Sequence, residues 1–215
     1  MTPQHSTTPG ERPRVVVMVL PGGKVLSHRR SRLWHLSNLR MLSFTAALRR
    51  QGFEAVQVRY RTRGWNGAEQ SPVADARQAL NRITASDPGA TVVLLGHSMG
   101  GRVAAALLSD GLSGDAAIAG VVALAPWWPA GTSLELDQGT RLLVIHGTAD
   151  RWTDPAASQS TVEMARRSGA DAEWIGVEGA GHFMLRRPRC WHRLAISGVS
   201  GMARGVTELK QGERR

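Results

Sequence analysis

Val15-Val-Val-Met-Val-Leu20 is apolar at six consecutive positions and stops at Pro21-Gly22-Gly23. A strand with one face in water alternates polar and apolar residues. A run that is apolar throughout has no face to give to solvent and fits a strand covered on both sides. Ala55–Tyr60, Thr91–Leu95, Ile118–Leu124, Arg141–Ile145 and Ala172–Val177 read as five further strands. Helices are expected between most of them. Leu36–Arg50 repeats its apolar residues at three and four and stops at Gly52, and Ser71-Pro72 can cap and open a helix to about Ser86. Met99–Ser109 reads as a small-residue helix, Pro155–Ser168 as one ended by Gly169, and a last helix is expected between Pro188 and Arg204. The implied fold class is α/β, with three α/β/α layers around a mostly parallel sheet of about six strands.

A length of 215 residues suits a single such domain, and 42% hydrophobic against 20% charged residues excludes wholesale disorder. The expected organisation is a disordered tail over 1–13, the α/β domain over 14–205, and a polar tail over 206–215. Met1–Pro13 has no apolar stretch of the secretory type, and no apolar run reaches membrane-spanning length. Cys190 is the only cysteine, so neither an intrachain disulfide nor a thiolate zinc site is expected. That fits a reducing, cytoplasmic setting without stable membrane insertion. The net charge is +10, and all but Lys24 and Lys210 of the 27 basic residues are arginines. They recur along the chain without forming one stripe, which favours solvated surface arginines over a nucleic-acid partner. Attraction to acidic substrates or membrane surfaces is the second reading.

Loops beyond the carboxyl ends of parallel strands collect functional groups. The third strand runs into Gly96-His97-Ser98-Met99-Gly100-Gly101, a G-x-S-x-G element between an apolar strand and a helix. That context makes it a nucleophile elbow, in which a sharp turn exposes Ser98 Oγ. A serine hydroxyl needs a base, itself oriented by a third group. The fifth strand is followed by His146-Gly-Thr-Ala-Asp150 and the sixth by Gly179-Ala-Gly-His182, so Asp150 and His182 are expected on the same sheet edge as Ser98.

With GHSMGG at Gly96–Gly101, HGTADRWTDP at His146–Pro155 and GAGHF at Gly179–Phe183, the chain resembles the α/β-hydrolases. The resemblance spans roughly Arg14 to Arg204 and is that of a compact, capless esterase-like or serine aminopeptidase-like member. It implies Ser98 as nucleophile, Asp150 as acid and His182 as base. The oxyanion hole would use the backbone N–H of Met99 and one from the loop after the first strand, Gly23 or else Lys24. Such an enzyme would be a serine hydrolase of carboxylic esters or related acyl compounds, with a small-molecule acyl substrate and neither cofactor nor metal. Acyl transfer, peptidase or thioesterase chemistry on the same residues, and a non-catalytic binding module, are the alternatives.

Asp154 competes with Asp150, but its place before Pro155 suits a helix cap. His97 and His146 read as packing residues, and His28, His35 and His192 lack partners at metal spacing. Seven Trp against one Tyr suggest either an aromatic-walled pocket built from Trp65, Trp127, Trp152 and Phe183 or tryptophans that pack against the loops. Only Ala125–Thr140 separates the fourth and fifth strands, too short for a cap domain. Lys24–Arg40 could fold over the site as a partial cover or lead into a surface helix.

Overall fold

The computed structural model describes residues 14–109, 117–134, 136 and 140–212. Six strands form one sheet: β1 (Val15–Leu20), β2 (Glu54–Gln57), β3 (Thr91–His97), β4 (Ala117–Leu124), β5 (Arg141–Gly147) and β6 (Asp171–Val177). Their spatial order is β2-β1-β3-β4-β5-β6 and every neighbouring pair is parallel. Five helices cover it: α1 (Leu36–Arg50), α2 (Ser71–Ser86), α3 (Met99–Ser109), α4 (Pro155–Arg167) and α5 (Pro188–Gly212).

The strand pleat explains the fully apolar runs. Val16, Met18 and Leu20 of β1 join a cluster with α2, α3 and α4, through residues such as Leu80, Val103 and Val162. Val17 and Val19 point the other way, into a cluster with Met41 and Phe44 of α1 and Trp191 and Val199 of α5. Each buried side chain of this size contributes roughly 1.5–3 kcal/mol, so both faces stabilise the sheet. Successive strands thus end at one edge, where their loops converge.

Four local features differ from expectation. β2 stops at Gln57, although Val58 and Tyr60 remain buried, because this edge segment leaves the ladder after Val58 N–H donates to Val19 O. A short 3-10 turn at Gly67–Glu69 precedes α2. Ser71 does not cap α2; the cap position is Gln70, in left-handed backbone, and the Ser71 hydroxyl bonds Glu69 instead. The last helix continues through 206–212, where a polar tail was expected, while 1–13 and 213–215 lie outside the described residues. The segment 24–40 leads into α1, tied at its start to the loop after β2 by bridges at Lys24–Gly64 and Arg30–Thr62.

Candidate active site

Between β3 and α3 the chain turns at Ser98, whose φ of 55° lies in the left-handed region. A serine held there is strained by about 1–2 kcal/mol, and the surroundings over-determine it. Ser98 N–H donates to Leu124 O at 3.0 Å, while Ser98 O accepts from Gly101 N and Trp127 N at 3.0 Å each. A Cβ at Gly96 would overlap the Gly100 backbone, and a Cβ at Gly100 would overlap the Leu20 carbonyl. The two glycines of the G-x-S-x-G element therefore let β3, α3 and β1 close up beneath the serine.

His182 Nε2 lies 3.0 Å from Ser98 Oγ, and His182 Nδ1 lies 2.9 Å from Asp150 Oδ2. A carboxylate can only accept, so Nδ1 carries the proton and Nε2 is left as an acceptor for the serine hydroxyl. The loops bearing the two residues are joined by Ala149 N–H to Ala180 O at 3.0 Å and Gly179 N–H to Thr148 Oγ1 at 2.9 Å. Ser98 is half-buried, His182 and Asp150 buried.

Asp150 is unusually well provided. Its Oδ1 accepts from Trp152 N–H at 2.7 Å and Thr153 N–H at 3.0 Å. Its Oδ2 accepts from His182, from the Thr153 hydroxyl at 2.9 Å and from His146 Nε2 at 3.2 Å. Burial by itself would raise the carboxyl's pKa, but the bonds from His146, His182, Thr153 and Trp152 outweigh it and hold it well below the usual carboxylate range. Asp154 is the N-cap of α4, accepting from Ala156 N–H at 2.8 Å, and so is occupied elsewhere.

Two histidines expected only to pack turn out to touch this constellation. His146 is fully buried, with Nδ1 2.8 Å from Ser158 Oγ and Nε2 on Asp150. His97 turns its Nε2 to the main-chain oxygen of His182 at 3.0 Å, donating to it, and holds the base's backbone without reaching the serine. Its position four residues before Asp150, at the end of an apolar strand, was the one available signal for His146; side-chain direction was not in the sequence.

The aromatics form two groups. Trp152 lies 6.4 Å from the His182 ring, and Phe183 packs on both, 5.2 Å from Trp152 and 5.4 Å from His182. Trp65 and Trp127 instead flank the Arg102 guanidinium, at 4.3 and 4.5 Å from their ring centroids. At the loop after β1, Gly22 is packed against Ser98 and Gly23 against the Met99 side chain, each in a place a Cβ would crowd. Lys24 N–H is engaged by Arg63 O at 2.8 Å. His35 accepts from Arg32 N–H, and His192 stacks on Phe44. Among the described residues no three His, Cys, Asp or Glu side chains group as a metal site would need.

Residues 13–138 match the family model for serine aminopeptidase, S33. Solved structures show the same fold at low identity. An α/β-hydrolase from a Medee basin deep-sea metagenome library superposes with a TM-score of 0.69 at 16% identity, over 90% of this chain and 85% of that one. A serine hydrolase from Xanthomonas campestris, described as lacking a lid, gives 0.61 at 22% identity, over 92% and 83%. An α/β serine hydrolase homologue from Coxiella burnetii gives 0.64 at 16%, over 87% and 86%. No curated protein matches the chain significantly.

Proposed function

The chain belongs to the serine aminopeptidase, S33, family and has the α/β-hydrolase fold, and from that premise we propose that it hydrolyses carboxylic esters or related acyl compounds through an acyl-enzyme. The observation that carries this reading is the unbroken run of hydrogen bonds from Ser98 Oγ through His182 to Asp150, at 3.0 and 2.9 Å.

In the proposed cycle Ser98 Oγ attacks the acyl carbon while His182 Nε2 takes its proton. Asp150 holds the Nδ1 proton and stabilises the imidazolium; five donors keep it ionised for that purpose. The oxyanion is received by the N–H groups of Met99 and Gly23, the engagement of Lys24 N–H by Arg63 O favouring Gly23 over its neighbour. His182 returns the proton to the departing alcohol, and the acyl group stays on Ser98. Water then enters, gives a proton to His182 and attacks the acyl carbon; the carboxylic acid leaves as Ser98 recovers its proton. Trp152 and Phe183, beside His182, would bound the acyl or leaving-group side.

A fluorophosphonate probe is expected to label the wild type and not Ser98→Ala, with ester hydrolysis lost in the same variant. Absence of labelling in the wild type would overturn the proposal. Aminoacyl amides turned over faster than esters would assign peptidase chemistry to the same residues.

A further inference from the structure

Large apolar side chains left in water are unevenly distributed here. All ten that are exposed among the described residues lie in the three segments that follow the carboxyl ends of β1, β5 and β6. Seven of them fall between Val25 and Leu42, in the loop and first two turns of α1; the others are Trp152, Phe183 and Leu185. Trp34 is 64% exposed, Leu36 74%, Trp152 73% and Leu185 79%. Scattered exposed leucines need no explanation, but this concentration in three segments after strand ends does. The segments adjoin: the Arg40 guanidinium sits 5.1 Å from the Phe183 ring centroid, and Phe183 lies against Trp152.

In two of these three segments the charge is one-sided. Between Pro21 and Phe53 there are seven basic residues and no acidic one, and between Gly179 and Arg193 four and none. Arg29, Arg30, Arg32, Arg186, Arg187 and Arg189 are exposed, and none pairs with a carboxylate among the described residues. His35 is held below its ordinary pKa first by desolvation and then by Arg63, Arg32 and Lys24, which agrees with a local crowd of cations.

We propose that this face docks on an anionic lipid bilayer, with Leu33, Trp34 and Leu36 entering the interface, the arginines on the headgroups, and the Ser98 mouth turned toward the lipid. Leucine and tryptophan interleaved with arginine is the composition of an interfacial surface. Basic residues are drawn to the negative surface potential of an anionic leaflet, and apolar insertion adds to that attraction. Docking itself is independent of catalysis; its corollary, that the acyl substrate is drawn from the lipid phase, rests on the hydrolase reading above.

The test uses the full chain carrying Ser98→Ala, sedimented with vesicles of phosphatidylcholine alone or mixed with phosphatidylglycerol. Binding is expected at least about tenfold tighter on the anionic vesicles and weakened by salt of about 0.5 M. The Leu33→Ser/Trp34→Ser variant, both sites being exposed, is expected to keep its melting temperature and bind about tenfold less. In the Ser98-containing protein that variant should slow hydrolysis of a vesicle-borne ester about tenfold and leave a water-soluble short-chain ester unaffected. No binding to anionic vesicles overturns the proposal, as does binding that the double variant leaves undiminished, which would be attraction of a basic protein to any polyanion. Self-association abolished by the double variant, with vesicles unbound, would assign the patch to a second copy and also overturn it. A catalytically silent protein that still docks would sink only the hydrolase reading.

Discussion

Asp150 faces two imidazoles, and only one of them leads to the serine. His182 is the route by which the carboxylate bears on Ser98; His146 approaches Oδ2 from the core, 3.2 Å away, and is anchored behind by Ser158, which also accepts from Trp174 Nε1 at 3.0 Å. His146 is thus a positioning residue, holding the carboxylate toward His182. His146→Phe preserves bulk but removes a donor from a buried charge, a loss of roughly 1–3 kcal/mol. On a turnover assay kcat is expected to fall about tenfold or more with KM unchanged. A lowered melting temperature with kcat intact would mean that His146 serves the core alone. Sequence could place His146, Asp150 and His182 at strand ends, because apolar runs and glycines mark those ends. It could not show that His146 also reaches Asp150, since rotamers depend on neighbours from distant parts of the chain.

Among the elements, the elbow between β3 and α3 depends most on backbone proximity. Gly100 lies against the Leu20 carbonyl at the end of β1, with no room for a methyl group. Gly100→Ala must push α3 away from β1 and drag Ser98 with it. The expected result is destabilisation of about 2 kcal/mol or more together with loss of hydrolysis, read by thermal melting and by fluorophosphonate labelling. Labelling at the wild-type rate would show that the elbow tolerates the shift. The limits of α1 and α4 followed from periodicity, glycine and proline, all local signals. The early end of β2 did not, because it reflects where the edge segment parts from β1 after Val58 and not the residues' own preferences.

At the scale of the whole molecule, buried imidazole is expected to cost stability in weak acid. Burial, aided by nearby His182, pushes His97 down to about 3 from its ordinary 6.5. The unfolded chain therefore binds more protons than the folded one between those values. Stability is complete above about pH 6.5 and declines as pH falls toward 3, by roughly a kcal/mol per pH unit. His192 shifts the same way through burial, and Asp150 adds its own loss once the pH falls to the ordinary carboxylate value and below it. Melting temperatures between about pH 4.5 and 6.5 isolate the histidine contribution; His97→Gln is expected to flatten that slope in part, and an unchanged slope would contradict it. The layered architecture, and the placing of Ser98, Asp150 and His182 after strand ends on one sheet edge, were already written in the chain, because hydrophobic period and turn residues act over a few positions. Their convergence within 3.0 Å, the second histidine on Asp150, and the approach of Arg40 to Phe183 and of Phe183 to Trp152 belong to the folded protein. Such meetings join residues far apart in sequence, and only the crossing of strands in space brings them together.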